Sequence, residues 1–434
     1  MSWYHLFDPT AEKWLALAIF AVCFGLILYR NVKIVYVSLG AAALLVALGI
    51  TSPSSALLRM VDWDVLAIYW GYGMLAFSFR ESRIPALIAS YVLARIKKEK
   101  YALLFLCSLS AFLSAFMANP VVVIMLAPLA IEMAERLKAS LFLYLVCLAI
   151  SSNVVTTVTM VADPPALILA MATGMSFLDF YWFQGKMSLG TLSVVGVIVA
   201  LLTLLFQFRD LNNSVDLAEQ KIRITYGALI IFILSIVALA LMSYPEVKTI
   251  LAPVSMNHPG IIGVLVGGSA LLIERRVVRE MIADFDWDTL WFLIGIFIVI
   301  GAVEKVGLLK DIAGWLAGTG LTSPTVYLLI LTWISVILSA FMDNVPYTIL
   351  MIPVCSYLAQ SLGISPWPLY FGMLVGTGIG GNITPVGATA NVLACGMLEK
   401  RGYQINLWEF MKISIPFSVA AVLAVHILLQ LLWL

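Results

Sequence analysis

The stretch LSAFM occurs twice in this chain, at residues 113–117 and 338–342, and each copy runs on to an asparagine, Asn119 and Asn344. Pro128 and Pro353 keep the same separation of about 225 residues, as do Thr159 and Thr384. Upstream, Asp62-Trp63-Asp64 is matched by Asp286-Trp287-Asp288. Apolar segments resemble one another in any chain, so the polar matches carry the weight. They describe an internal duplication, which dictates that whatever the first half folds into the second half folds into again.

The compartment follows from composition: 62% of the residues are hydrophobic, 11% are charged, and mean hydropathy is +1.04. A soluble domain of 434 residues carries about twice that charge. Apolar runs recur from end to end, so the chain reads as an all-α polytopic membrane protein whose first partner is the lipid bilayer. A formal net charge of +1 gives no basic field for nucleic acid. The start MSWYHLFDPTAEKW lacks the basic segment of a cleaved signal peptide. Cys23, Cys107, Cys147, Cys355 and Cys395 are scattered in apolar sequence and read as small core residues. His5, His258 and His426 are too far apart for metal-ligand spacing, so no metal is expected.

Spans are expected near 14–29, 33–50, 64–79, 141–174 (interrupted) and 188–207, and again near 224–243, 258–273, 288–303, 367–398 (interrupted) and 409–432. That makes about ten transmembrane helices. Segments 85–96 and 308–317 are short and amphipathic, and read as interfacial. Residues 101–136 and 325–361 each hold two apolar arms around a polar, proline-bearing tip. Such a tip is tolerated at mid-depth only where it is buried in protein or lines a wet cavity. Two re-entrant hairpins are therefore expected, the other reading being two ordinary spans joined by a loop. The first repeat is 1–206, the linker 207–223 and the second repeat 224–434. Each half crosses an odd number of times, so the two must be inverted. With both termini outside, 19 of the 25 Lys and Arg fall on the inner side, as the positive-inside rule requires. The first hairpin then opens to the cytoplasm and the second to the outside of an inner or plasma membrane.

Four polar islands interrupt the apolar sequence: the two hairpin tips, Ser151 to Pro165, and Gly376 to Asn391. Broken helices expose backbone donors and acceptors that can hold ions. Asn119, Pro120, Asn153, Thr156, Thr157, Asn344, Asn382, Thr384 and Asn391 are the candidate substrate- and ion-binding residues, supplying amides, hydroxyls and backbone bends. The alternative for each Asn or Thr is a helix cap. Asp163 and Asp343 are the candidate proton- or cation-coupling acids, and Asp343 also counts as a binding residue. A carboxylate this deep is costly unless paired, cation-bound or protonated. Each has alanine as its repeat counterpart: Ala118 matches Asp343, and Ala388 matches Asp163.

The stretches LSAFMDNVPYTILMIPV, SSNVVTTVTMVADPPALILA and GGNITPVGATANVLA resemble the signatures of the ArsB/NhaD permeases of the ion transporter superfamily, which include arsenite efflux pumps, sodium/proton antiporters and P-protein-like permeases. The resemblance covers nearly the whole chain. It implies a site shared by both tips and both broken spans, elevator-type movement of a transport domain against a scaffold, a homodimer, and an arsenical-pump ATPase as a partner. The tips read Ala-Asn-Pro and Asp-Asn-Val where dicarboxylate carriers usually have Ser-Asn-Thr, which argues against a dicarboxylate. The function expected first is export of a small inorganic ion or neutral oxyacid, of the arsenite or antimonite type, in exchange for protons. Sodium/proton antiport is the alternative and transport of another anion a further one. No cofactor is expected beyond Na⁺ or H⁺ as coupling ion. No HExxH, paired GxGD-type acids or Ser–His pair lies within the spans, so an enzyme is not expected.

Overall fold

The computed structural model describes residues 8–29, 32–215, 222–251, 258–318 and 323–434. Residues 216–221 of the linker, with Lys221, lie outside the described residues, as do His5 and Arg30. The first repeat comprises α1 (Pro9–Tyr29), α2 (Ile34–Ala47), a one-turn α3 (Pro53–Ser55) running into a π-turn (Ala56–Met60), α4 (Trp63–Glu81) and the short α5 (Ile84–Leu93). The hairpin arms α6 (Glu99–Ser114) and α7 (Asn119–Leu137), the two pieces α8 (Leu141–Asn153) and α9 (Pro164–Thr173) of a broken span, and α10 (Leu189–Gln207) follow. The second repeat is α11 (Gly227–Leu241), α12 (Pro245–Leu251), α13 (Pro259–Ile273), α14 (Val278–Asp284), α15 (Trp287–Lys305) and α16 (Leu308–Ala317). It continues with the hairpin arms α17 (Pro324–Ser339) and α18 (Asn344–Leu362), the broken pieces α19 (Trp367–Gly380) and α20 (Thr389–Glu399), and α21 (Leu407–Trp433). A two-residue β-hairpin, Trp182–Phe183 with Lys186–Met187, precedes α10.

The chain is thus a helical, multi-pass membrane protein. α1, α10, α15, α18 and α21 are each long and apolar enough to cross a bilayer. The arms α7 and α18 run 19 residues each, longer than the sequence suggests, because the polar tip residues Asn119 and Asn344 already open them.

Contacts recur at the spacing of the repeat. The indole of Trp63 donates to the Leu57 carbonyl and that of Trp287 to the Ile282 carbonyl, both at 2.8 Å. Asp62 caps α4 through the Asp64 and Val65 amides, and Asp286 caps α15 through Thr289. The two copies are also antiparallel. One cavity is lined by Arg80 from the end of α4 and Asp286 from the start of α15; another is lined by Asp62 from the start of α4 and Lys305 from the end of α15. Equivalent helices therefore point in opposite directions.

The two repeats interlock. α13 of the second packs along α4 of the first, and α2 of the first packs along α15 of the second. Lipid offers no hydrophobic drive for helices to associate, so small residues that admit close backbone approach do the work. A Cβ on Gly71 would sit 1.9 Å from the Gly263 carbonyl oxygen, and one on Gly263 2.3 Å from that of Ala67. The counterparts of Gly263 and Gly71 are Ser38 and Gly295, which also meet: a Cβ on Gly295 would lie 2.5 Å from Ser38 Oγ. Polar contacts mark the ends of the same two seams, an ion pair from Lys33 Nζ to Asp288 at 3.1 Å and a hydrogen bond between His258 Nδ1 and Asp64 at 3.3 Å. The hairpins and broken helices form the other unit: α17 packs on α19, α6 on α8, α10 on α21, and each returning arm on the opposite repeat, α7 on α20 and α18 on α9.

Gly263→Leu is expected to destabilise the fold by roughly 1–3 kcal/mol through overpacking of the α4–α13 seam. Gly268, with nothing within 4 Å of its added Cβ, should accept the same change with little loss. Thermal melting in detergent compares the two.

Candidate functional site

Each hairpin tip is tied to the break of its own repeat by the same bond. The Thr159 hydroxyl donates to the Ala115 carbonyl in the first repeat. Thr384 donates to Ala340 at 2.5 Å in the second. Both carbonyls belong to the last turns of hairpin arms, where no helical partner remains. Tips and breaks therefore lie at one level.

Asn153, Asn382 and Asn391 meet across the repeats. The Asn153 amide donates to Asn382 Oδ1 and Asn391 Oδ1, both at 3.0 Å. Asn382 donates to the Ile150 carbonyl at 3.0 Å. Asn391 donates to the Gly381 and Thr384 carbonyls at 3.1 and 2.9 Å. All three are buried. As placed, these amides bond one another and the frayed backbone of α8 and α19, so they fasten the two broken spans together. Thr157 is likewise engaged, 2.8 Å from Ser193 Oγ on α10. Cys23, Cys107, Cys147, Cys355 and Cys395 are all buried.

Of the remaining candidates, Pro120, Asp163 and Asp343 border open space in two cavities, whereas Asn119, Thr156 and Asn344 line neither. A cavity of about 240 Å³ is lined by Ala118, Pro120, Val161, Ala162, Asp163 and Leu167 on one side. Its facing wall is Tyr69, Tyr72, Phe77, Arg80, Asp284 and Asp286. A second cavity of about 320 Å³ is lined by Asp343, Val386, Gly387, Ala388, Thr389 and Val392, with Lys33 beside them. The residues from the tip and the break in this second set are, position for position, the repeat counterparts of those in the first. Thr389 borders both cavities. Each cavity holds one acid, Asp163 from a break in the first and Asp343 from a tip in the second. The two carboxylates are close enough for their charges to interact. Both cavities reach the face that bears Arg80, Lys33 and Asp286.

The two acids are held differently. Asp343 caps α18 by accepting from the Val345 amide at 2.9 Å. Asp163 stands at the same point before α9 without a capping bond, because Pro164 and Pro165 occupy the first two positions and have no N–H to offer. Among the described residues Asp163 has neither a hydrogen bond from a side chain nor an ion pair. The cations nearby are committed: Arg80 lies 2.8 Å from Asp284 and stacks on Phe77, and Lys33 is held by Asp288.

The tips differ too. Ser339 Oγ is 2.5 Å from Asn344 Oδ1 and 2.6 Å from the Thr377 carbonyl. Their first-repeat counterparts, Ser114 Oγ and Asn119 Oδ1, are buried with no hydrogen-bond partner, as are Ser151 Oγ and Thr156 Oγ1 at the break of the same repeat. Ser114 and Ser151 are candidates that sequence reasoning passes over, because a serine inside an apolar helix ordinarily bonds back to its own turn. The wall residues Tyr69 and Arg80 were missed as well, Tyr69 being read as part of an ordinary span and Arg80 as an inner-loop cation.

On the opposite face a wider cavity of about 1050 Å³ lies between Met60–Asp64 and Phe297–Lys305 on one wall and Ile349–Tyr357 on the other. Neither acid and neither tip lines it.

Several proteins of similar sequence are named as transporters. An uncharacterized transporter of Mycobacterium tuberculosis is 27% identical, over 96% of this chain and 97% of its own length. The 46 kDa membrane protein of Mycobacterium leprae is 27% identical over 97% and 99%. The human P protein is 24% identical over 94% of this chain, which spans 58% of that protein. The YdaH transporter of Alcanivorax borkumensis has the same fold at a TM-score of 0.54, with 15% identity over 98% of this chain and 97% of that one. Residues 16–376 match the family described as CitMHS: Citrate transporter. This multi-pass membrane transporter therefore belongs to the CitMHS citrate transporter family.

Proposed function

We propose that the chain is a proton-coupled exporter of a small uncharged inorganic oxyacid of the arsenite and antimonite class, the solute expected from its likeness to the ArsB/NhaD permeases. The observation that carries this reading is Asp163, a carboxylate in the cavity wall with no side-chain partner, close to Asp343 and with every nearby cation already paired. A carboxylate in that position is held by a proton or a bound cation. The family is described by citrate, but a trianion would find no uncommitted cation here. The helix N-termini that could replace one are already faced by Asp163 and Asp343, and Pro164-Pro165 strips α9 of its first donors. A neutral oxyacid needs only hydroxyls and backbone, and Tyr69, Tyr72 and Thr389 line the cavities beside the two acids.

With both cavities opening towards the Arg80 face, the positive-inside rule makes this the cytoplasm-facing form, with both termini outside. Exchange of the roles of the two repeats would carry the tip of the second hairpin to the opposite cavity, as inverted repeats allow. The hairpin unit would move against the interlocked scaffold, elevator-fashion.

Sodium/proton antiport is the second reading, and one observation favours it. Ser114 Oγ, Asn119 Oδ1, Ser151 Oγ and Thr156 Oγ1 are four buried oxygens without partners. Neutral and anionic oxygens are what a hard cation takes.

In everted vesicles, arsenite should drive proton movement reported by a pH-sensitive dye. Asp163→Asn and Asp343→Asn should each reduce it by about a hundredfold or more. No dye response to arsenite in the wild type removes the first reading. If sodium gives the response instead, Asn119→Ala should raise the half-saturating sodium concentration about tenfold, on the order of 1.4 kcal/mol of binding.

A further inference from the structure

Tyr69 is a scaffold residue on α4 whose place in the cavity calls for an explanation. Its ring packs against Phe285, with centroids 5.8 Å apart. Its hydroxyl lies 3.4 Å from Asp286 Oδ2, at the mouth of the cavity. The phenol and Asp163 line one wall-to-wall space of about 240 Å³. Asp286 is exposed at that mouth and is fixed there by its capping bonds with the Thr289 amide and hydroxyl, at 3.0 and 2.5 Å. Tyr72 lines the same cavity, but its hydroxyl makes no bond to a carboxylate.

We propose that Tyr69 hands protons from Asp286 to Asp163. The inference rests on the proton-coupled reading above and names the route by which its acid is loaded. Cytoplasmic water protonates Asp286. The Tyr69 hydroxyl then gives its own proton to water in the shared cavity, which passes one on to the Asp163 carboxylate, as the phenol takes the one from Asp286. The O–H bond of Asp286 breaks, an O–H bond on Asp163 forms, and Tyr69 ends as it began. A phenol suits this because it donates and accepts at one atom. Arg80 and Asp284, the other charged groups on the wall, are bound to each other at 2.8 Å and stay out of the transfer.

The arrangement is one-sided. The repeat counterpart of Tyr69 is Leu293, which is fully buried, and that of Asp286 is Asp62, which lines the wide cavity of the opposite face. Tyr69 and Asp286 belong to the scaffold and Asp163 to the hairpin unit. The relay is therefore complete in the orientation seen here and comes apart when the unit moves.

The test uses the full chain in proteoliposomes, with arsenite and with sodium as probes. Proton movement is followed by an internal dye, and exchange of labelled solute is measured at equal concentrations on both sides, a process without net proton transfer. Tyr69→Phe should slow proton movement by about tenfold or more, whereas exchange falls by less than about threefold. Asp286→Asn, which keeps the helix cap but cannot titrate, should show the same split. Proton movement at the wild-type rate in Tyr69→Phe overturns the inference alone. So does a loss of exchange in the same proportion as proton movement. A wild type that moves no protons with either probe overturns the proton-coupled reading, and this inference with it.

Discussion

Hydrocarbon leaves no water to satisfy a bare backbone group, and this chain interrupts its helices at four places within the membrane. Everything else in the hairpin unit answers that constraint. Thr159 and Thr384 cover carbonyls at the ends of α6 and α17, Asn382 and Asn391 cover carbonyls at the ends of α8 and α19, and Asn153 fills the two amide oxygens left over. No single repeat could do this. Asn153 comes from the first copy and Asn382 and Asn391 from the second, so the breaks are stable only when the copies face each other. Antiparallel pairing is thus the condition on which the broken helices exist, and the cavities at the tips are the space that remains once the bonds are made.

The duplication was legible before any coordinate, because Asn119 and Asn344, or Thr159 and Thr384, sit in register in otherwise featureless apolar sequence. The breaks were legible for the same reason: prolines and glycines inside a span can only interrupt it. What could not be read was which polar residues spend their bonds on one another. Asn153, Asn382 and Asn391 look like ligands in sequence, yet their partners lie 229 and 238 residues away and depend on how two helices cross. Ser114 and Ser339 are identical in sequence context, but one is orphaned and the other has Asn344 and the Thr377 carbonyl. Asp286 was readable as a helix cap and is one. Its second role depends on Tyr69, which comes from the other repeat.

Symmetry also sharpens what is not symmetric. The two tip cavities share a lining at six matched positions, and the acid is moved from the break in one to the tip in the other. A carboxylate before Pro164-Pro165 finds no backbone donor, whereas one before Asn344-Val345 finds the Val345 amide. The same functional group therefore meets two environments: Asp343 is held as a cap, and Asp163 is left to the cavity. On the proposed proton-coupled reading a carrier needs such a difference, and here a proline pair stands next to one acid and not the other.

The scaffold extends that difference. Its seams, α4 with α13 and α2 with α15, match down to the close contacts at Gly263 and Ser38, so its shape presents nearly the same wall to either side of the membrane. Its chemistry does not. Where the wall facing Asp163 carries Tyr69, its counterpart Leu293 is fully buried; where one mouth carries Arg80 bound to Asp284, the other carries Lys305 bound to the Ile50 carbonyl. On the proposed reading, shape governs whether the hairpin unit can seat in both positions, which matched glycine contacts keep even-handed, and chemistry governs what happens to a proton in each. Divergence after duplication confined to the wall and the acids, with the seams held alike, would then give direction to the transfer without tilting the mechanical balance.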